Sequence, residues 1–108
     1  SDTAADPASA VKNYWLALTE KDSARLSSYS CADYEATALT TLESFQSVEV
    51  VAKDVECVIA NTTADSVEVT CKGTLVASYG AEDLVIDLSQ KSYLAVNEGG
   101  EWRMCGEK

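Results

Sequence analysis

The sequence contains no histidine, which removes the side chain that most often acts as a general base near neutral pH or as a metal ligand. A Ser-His-Asp triad is therefore excluded. The sequence also lacks a glycine-rich phosphate-binding loop and an Asp-x-Asp-x-Asp-Gly calcium loop. We accordingly expect no metal site and no cofactor, and we assign no catalytic residue from composition.

Basic residues are scarce, because 8 Lys and Arg stand against 18 Asp and Glu, for a net charge of −10. Such a surface repels phosphate backbones, so we predict that the protein does not bind nucleic acid. No apolar run approaches the roughly 18 residues that a membrane-spanning helix requires. Contact with a membrane is therefore expected only through a lipid anchor at the N-terminus, where residues 1–6 form a small, polar tether.

The sequence does contain four cysteines in 108 residues, none of them in a Cys-x-x-Cys pair. Zinc sites favour such close pairs, whereas dispersed cysteines in a small acidic domain indicate disulfides and an oxidising compartment. We therefore predict an extracytoplasmic protein, either secreted or anchored to the cell envelope. Four cysteines allow three pairings. The strand pattern favours Cys57–Cys71, which leaves Cys31 with Cys105.

The centre of the chain reads as a β-hairpin that carries two of these cysteines. Apolar and polar residues alternate on both sides of the polar turn 61–66, with Cys57 and Cys71 on the apolar face. Folding the hairpin about Ala64 places the two cysteines opposite each other. Near Lys53 and Asp54 the alternation slips by one position, which predicts a β-bulge that bends the sheet.

Helical periodicity is confined to the first 45 residues. Asp6 and Pro7 suit the N-cap and first position of a helix, whose apolar residues then recur at intervals of three and four. That apolar face comprises Val11, Tyr14, Trp15 and Leu18. Asp22 caps a second, shorter helix, and a third helix is predicted from Cys31 to Phe45.

After the hairpin, alternation of period two predicts one strand over residues 84–96 and a last strand behind the turn at residues 97–100. The residues expected to face inward are Leu84, Ile86, Leu88, Leu94, Val96, Trp102 and Met104. The same phase points Cys105 outward. A disulfide between Cys105 and Cys31 therefore requires either that the last strand has ended before Cys105 or that a bulge reorients the Cys105 side chain.

Helices followed by four strands joined through short turns indicate an α+β domain. The apolar face of the sheet must be covered, so we expect the N-terminal helices to pack on a strongly bent four-stranded antiparallel sheet. Residues 7–108 would form this single domain, a cone closed by two disulfides.

The segment Asp6–Asp22 resembles the opening helix of the nuclear transport factor 2-like (cystatin-like) superfamily, which often reads Val-x-x-Tyr/Phe-x-x-Ala-Leu-x-x-x-Asp. The hairpin Tyr93–Gly106 and the step Cys71-Lys72-Gly73 resemble secreted or lipid-anchored bacterial members with four cysteines. The resemblance covers nearly the whole chain and implies a cone of helices against a bent sheet. Its motifs are structural, and this fold carries many unrelated activities.

The resemblance also implies candidate site residues. Ketosteroid isomerases of the superfamily carry, at the place of Tyr14, a tyrosine that hydrogen-bonds a steroid oxygen, and they also need a carboxylate base. Asp33 and Glu35 lie in the corresponding region here, without the Asp-Pro that often follows in such enzymes. An apolar pocket, with plain core packing as the alternative, would be lined by Tyr14, Trp15, Leu18, Tyr34, Phe45 and Tyr93.

Three functions follow from these observations. The first, which we favour, is a non-catalytic domain that binds a small apolar ligand in the cone or associates with a protein partner. The second is a ketosteroid-isomerase-like or dehydratase-like enzyme that uses Tyr14 with Asp33 or Glu35. The third is a cystatin-like structural or inhibitory module whose outer sheet face pairs with another chain, for example in a homodimer.

Overall fold

The computed structural model describes residues 6–63 and 66–107, in which three helices precede five strands. The elements are α1 Pro7–Glu20, α2 Ser23–Ser28, α3 Glu35–Ser44, β1 Glu49–Thr62, β2 Val67–Tyr79, β3 Glu82–Asp87, β4 Ser92–Glu98 and β5 Glu101–Glu107. The helices pack on one face of a strongly curled antiparallel sheet, which confirms the predicted α+β class. Of the helices described, none is long and apolar enough to cross a membrane.

Helix α1 supplies the main cover of the sheet. The Asp6 carboxylate accepts a hydrogen bond from the backbone N–H of Ser9 at 2.8 Å, and Pro7 takes the first helical position. The helix therefore begins where the sequence predicts. It ends before Lys21, which adopts a left-handed conformation with φ 57°. The apolar face buries Val11, Tyr14, Trp15 and Leu18.

Strand β2 is the axis of the sheet, because three strands pair with it. β1 lies along one side of β2. On the other side, β4 pairs with residues 67–70 of β2, and β3 pairs with residues 74–79. β5 pairs with β4, which gives the order β1-β2-β4-β5 with β3 beside the far end of β2.

A 3₁₀ turn at Leu88–Gln90 divides the strand predicted over residues 84–96 into β3 and β4, so the sheet has five strands. The Asp87 carboxylate fixes this turn by accepting hydrogen bonds from the backbone N–H and the hydroxyl of Ser89 at 2.9 and 2.6 Å. Such local side-chain bonds let the chain step from one partner segment of β2 to the next.

The turn also changes which face of the last strands is buried. Tyr93 and Ala95 are buried on β4, so the expectation that Leu94 and Val96 face inward is wrong. On β5, Met104 is fully buried as predicted, while Trp102 packs against the margin of the core and is only partly buried.

The predicted bulge at Lys53 and Asp54 is confirmed. Lys53 pairs with Thr74 and Glu56 with Lys72, so two residues of β1 oppose the single residue Gly73. Asp54 takes a positive φ of 54° at this point. The bulge adds local twist, which helps the sheet curl around α1.

Both predicted disulfides are present, Cys31–Cys105 and Cys57–Cys71. Cys57 and Cys71 are direct cross-strand partners. A bulge resolves the orientation of Cys105, because Leu94 pairs with Gly106 while Ala95 pairs with Met104, which leaves Cys105 between them as the extra residue. Two disulfides of this kind indicate folding in an oxidising, non-cytoplasmic environment.

The third helix starts at Glu35 rather than at Cys31. The backbone of Cys31 is already engaged, since its N–H donates to the Met104 carbonyl at 2.8 Å. Met104 returns a hydrogen bond from its own N–H to the Tyr29 carbonyl at 2.6 Å. The chain around Cys31 therefore lies along β5 as a short parallel extension of the sheet, and helical geometry begins only afterwards.

Candidate functional site

Four aromatic residues meet where α1, the start of α3 and β4 converge, and we call Tyr14, Trp15, Tyr34 and Tyr93 the aromatic cluster. The ring of Tyr14 lies 5.0 Å from that of Trp15 and 6.0 Å from that of Tyr34, measured between centroids. Trp15 meets Tyr93 edge-on at 5.3 Å. Edge-to-face contacts of this kind stabilise the cluster beyond the area that it buries. Three members are buried, and Tyr34 is half-buried at the outer end.

The indole Nε1 of Trp15 is a buried hydrogen-bond donor without a partner in the described part of the chain. The side chain is 5% exposed, so bulk water does not satisfy this group. An unmet donor in a protein interior costs about 1–3 kcal/mol, and each such group calls for an explanation. The donor lies inside the aromatic cluster, where the neighbouring rings offer it no acceptor atom.

The tyrosines of the cluster are held in their neutral form. Burial is the main cause that raises the pKa of Tyr14 well above its usual range, and the neighbouring Tyr34, to which it is hydrogen-bonded, raises it further. Burial likewise raises the pKa of Tyr34. Burial first, then the charges of Glu107 and Asp87, raise the pKa of Tyr93 to about 12. Neutral phenols act as hydrogen-bond donors and not as bases near neutral pH.

An ion pair borders the cluster on the solvent side. The ammonium of Lys91 lies 2.9 Å from the Glu107 carboxylate, and this hydrogen bond raises the pKa of Lys91. Glu107 stands opposite Tyr93 in the β4–β5 ladder. Its charge also contributes to the raised pKa of Tyr14 and Tyr34. Because both members of the pair are substantially exposed, we treat it as a polar rim and not as a stability element.

The raised pKa of Tyr93 predicts a loss of stability in alkali. The folded-state value of about 12 exceeds the ordinary 10.0, so the contribution of Tyr93 to folding is complete below pH 10 and is lost as the pH rises through about 12. The free energy of unfolding, measured by denaturant titration at a series of pH values, should fall across this window.

The free energy of unfolding of the Tyr93→Phe variant should fall less steeply across the same pH range. Its stability at pH 8 should be lower by about 1 kcal/mol, because it loses the hydroxyl bond to the Leu88 carbonyl at 3.0 Å. Equal slopes in both proteins would contradict the assignment.

The six residues predicted to line a pocket do not all lie together. Tyr14, Trp15, Tyr34 and Tyr93 form the aromatic cluster, and Leu18 is buried one turn further along α1. Phe45 lies at the end of α3, where it closes a different groove. That these residues bind a ligand stays a prediction.

The carboxylates proposed as general bases, Asp33 and Glu35, flank Tyr34 in the chain and are both exposed. A base beside a buried substrate would have to face the aromatic cluster. Glu107 acts electrostatically on all three tyrosines of the cluster. The sequence patterns do not point to Lys91 or Glu107 as site residues. Their place beside the cluster follows from the β4–β5 register, which sets Glu107 opposite Tyr93.

Two surface concavities lie away from the cluster. A groove of about 430 Å³ follows the exposed side of α3. The hydroxyls of Thr40, Thr41 and Ser44 there donate back to helix carbonyls at 2.9, 2.9 and 3.2 Å, so they are already satisfied. A smaller concavity of about 270 Å³ lies beside Cys71 and Lys72 on the outer sheet surface. Neither combines burial with unsatisfied polar groups.

No protein-family model matches the chain, and no curated protein sequence does so either. Solved structures do resemble it. A SEC-C motif-containing protein from Rhodopseudomonas palustris superposes with a TM-score of 0.65 at 10% identity, over 98% of this chain and 80% of the other. The helical cell shape determining protein Pgp2 from Campylobacter jejuni gives 0.58 at 9% identity, over 93% of this chain and 38% of the other.

A third similar structure is a candidate dehydratase of the NTF2-like family from Streptomyces avermitilis, with a TM-score of 0.57 at 12% identity, over 91% of this chain and 88% of the other. At such identities the likeness shows the fold alone. The fold is thus consistent with the nuclear transport factor 2-like architecture that the opening helix predicts, and the site must be argued from this chain's own residues.

Proposed function

We propose that this protein is a non-catalytic extracytoplasmic domain that binds a small, mainly apolar molecule carrying a hydrogen-bond acceptor. The observation that carries the proposal is the buried, unpartnered indole N–H of Trp15 within the aromatic cluster. Ligand sites in proteins combine apolar and aromatic walls with a few fixed polar groups. Here the walls are the rings, and the polar groups are the indole N–H and the hydroxyl of Tyr34, since the Tyr14 hydroxyl already bonds to Tyr34 and the Tyr93 hydroxyl to the Leu88 carbonyl.

Such a ligand would enter from the solvent-facing side of the aromatic cluster, where the polar rim lies. Tyr34 is the half-exposed member of the cluster. The ion pair between Lys91 and Glu107 lies on the same side and is exposed to solvent. Exposed ion pairs break at little cost, so this pair can open for a ligand and close behind it without disturbing the core.

The compartment forms part of the proposal. The two disulfides support an oxidising environment, and we propose that the protein is secreted or attached to the cell envelope, as in lipid-anchored four-cysteine members of the nuclear transport factor 2-like superfamily. Residues 1–5 of the predicted N-terminal tether lie outside the described residues. Asp6 already caps α1, so a tether would end there.

Trp15→Phe tests the ligand proposal, because it removes the indole N–H and keeps an aromatic ring. Affinity for a ligand with an acceptor group should fall by about two- to tenfold, the equivalent of one hydrogen bond. The free energy of unfolding should change by no more than about 1 kcal/mol, because relief of an unmet donor offsets the smaller ring. Isothermal titration with aromatic and alicyclic ketones measures the first quantity, and denaturant unfolding measures the second.

Trp102→Phe is the matched control, since Trp102 is only partly buried at the margin of the core. It should leave ketone affinity unchanged. Equal affinities for the parent protein and Trp15→Phe, with any ketone that binds inside the cone, would remove the basis of the proposal.

The enzymatic alternative is supported by one observation: burial keeps the Tyr14 hydroxyl protonated, so that it would donate to a substrate oxygen in exchange for its present hydrogen bond to Tyr34. Asp33 and Glu35, its proposed bases, are exposed. We therefore expect the Tyr14→Phe variant to fold. We also expect that no turnover of ketosteroid or dehydratase substrates is lost through the substitution. Turnover by the parent protein that is lost in Tyr14→Phe and also in Asp33→Asn or Glu35→Gln would establish the enzyme instead.

A further inference from the structure

Strand β3 has an unpaired edge. Within residues 6–63 and 66–107, β3 pairs with β2 and with no other strand. All of its residues except Ile86 are exposed, including two large apolar side chains, Leu84 at 49% and Val85 at 59%. Natural proteins usually shorten, cover or charge such edges. β3 carries the acidic residues Glu82, Asp83 and Asp87 but is left uncovered by the described part of the chain, so its edge is a surface for pairing with a chain that complements those charges.

The turn before β3 fixes which backbone groups are free. Gly80 has φ 65°, and Tyr79 pairs with Glu82 across a two-residue loop, which makes these two the hydrogen-bonded pair next to the turn. Hydrogen-bonded and non-hydrogen-bonded pairs then alternate along the hairpin. Leu84 accordingly bonds to β2, whereas the N–H and C=O of Asp83 and Val85 point away from it. The free edge thus offers donors and acceptors at a spacing of two residues.

The side chains of β3 divide between the two faces of the sheet. On the outer face, Val85 pairs with Val76, and Val76 pairs with Val51, which is 51% exposed. This row of three valines ends at the free edge, between two acidic residues of β3. On the other face, Leu84 lies near Tyr79, which is also exposed, at 44%. A strand added at the edge would find apolar neighbours on both faces.

The charges of β3 select the partner. In a two-fold antiparallel pairing of two copies centred on Val85, Asp83 of one copy would face Asp87 of the other, and like charges opposite each other destabilise a sheet. Asp87 stays ionised, because the hydrogen bonds from Ser89 lower its pKa. Lys or Arg at those two positions of a foreign strand would instead meet opposite charge. The net charge of −10 favours a basic partner as well.

We propose that the edge of β3 binds an extended segment of another protein as an added antiparallel strand, with the pattern basic–apolar–apolar–apolar–basic. Main-chain bonds to Asp83 and Val85 would supply affinity. The basic residues opposite Asp87 and Asp83, with the apolar residue opposite Val85, would supply specificity. This site is separate from the aromatic cluster, so it does not depend on the proposed ligand.

The test uses the whole protein and the peptide acetyl-Ser-Lys-Ile-Val-Ile-Lys-Ser-amide, with binding followed by amide chemical shifts in ¹⁵N-labelled protein. Shifts should centre on residues 82–87. Val85→Pro removes only an N–H that points away from β2, so the β2–β3 pairing is kept. It should weaken binding at least about tenfold through the lost bond and the ring's bulk. Val85→Thr, which keeps that N–H, should bind within about twofold of the parent.

Two peptide controls do not rely on variant folding. Proline in place of the central valine removes the N–H that would donate to the Val85 carbonyl, and glutamate in place of both lysines reverses the charges; both peptides should fail to bind. Asp83→Lys should weaken binding of the lysine peptide about two- to fivefold. The proposal is overturned if the proline or glutamate peptide binds like the parent peptide, or if shifts map elsewhere. A protein dimer that Val85→Pro disperses would overturn it too, because the edge would then serve a second copy.

Discussion

Replacing Cys31 and Cys105 together by alanine is expected to lower the free energy of unfolding by about 4.5 kcal/mol. The disulfide joins residues separated by 74 positions. In the chain-entropy account, a loop of that length constrains the unfolded chain by this amount. The bond also fastens the short segment around Cys31 to β5, where two backbone hydrogen bonds already hold it. Small domains are stable by only about 5–15 kcal/mol, so the variant should be close to unfolding.

The Cys57–Cys71 pair is the internal comparison. Its closed loop spans a separation of only 14, and alanine at both positions should cost about 3 kcal/mol. Denaturant unfolding of the parent and the two double variants, all under non-reducing conditions, measures both losses. A Cys31/Cys105 variant that is more stable than the Cys57/Cys71 variant would show that chain entropy does not decide the order.

Gly73→Ala is expected to destabilise the fold by more than about 3 kcal/mol. Gly73 has φ 102°, a conformation that disfavours any side chain. A Cβ there would lie 2.5 Å from the Asp54 carbonyl oxygen and 2.6 Å from that of Lys53. Both atoms belong to backbone held in the β1 bulge, so they cannot move aside as a flexible side chain would. The strained φ alone costs about 1–3 kcal/mol, and the clash adds to it.

Gly80→Ala separates the two contributions. Gly80 also has a positive φ, 65°, but a Cβ there meets nothing within 4 Å. We expect this variant to lose only about 1–2 kcal/mol. Thermal or denaturant unfolding of both variants provides the comparison. Equal losses would mean that the bulge relaxes around the new methyl group, and that the close approach of β1 and β2 is not a constraint on the curl of the sheet.

The hairpin was predictable because its signal is local and repeated. Along β2, the alternate residues from Val67 to Ala77 are, apart from Gly73, apolar and buried in the core, so period two alone assigns the inner face. The slip at Lys53 marked the bulge for the same reason. The start of the opening helix was equally predictable, because Asp6 and Pro7 form a capping signal that does not depend on the rest of the fold.

The later strands could not be predicted to the same degree. The phase of β4 depends on the 3₁₀ turn, which the Asp87 carboxylate stabilises through two bonds to Ser89. Nothing in the alternation of Leu84 to Val96 marks that turn. The prediction that the third helix begins at Cys31 was wrong, because the backbone of Cys31 bonds to β5, a strand more than seventy positions away. Long-range backbone pairing overrode local propensity at Cys31, whereas at Ser89 a local side-chain hydrogen bond interrupted the alternation.

The candidate site was partly visible in the sequence. Aromatic residues at helical spacing indicate that Tyr14 and Trp15 lie in the core, and the predicted pocket also includes Tyr34 and Tyr93. Sequence patterns carry no information on whether a buried indole finds a partner, because that depends on every neighbour in the fold. The ion pair of Lys91 and Glu107 likewise depends on the register between β4 and β5, which the bulge at Cys105 shifts by one residue.

The most direct test of the proposed function is the ¹H–¹⁵N correlation spectrum of the two indole groups during titration with ketones and with their hydrocarbon analogues. Trp15→Phe identifies the Trp15 signal by its loss. We predict that a bound ketone moves the Trp15 indole proton downfield, as a new hydrogen bond does, while the hydrocarbon analogue of the same shape does not. An indole signal of Trp15 that is unmoved by every ketone that binds, or that responds equally to ketone and hydrocarbon, would contradict the account.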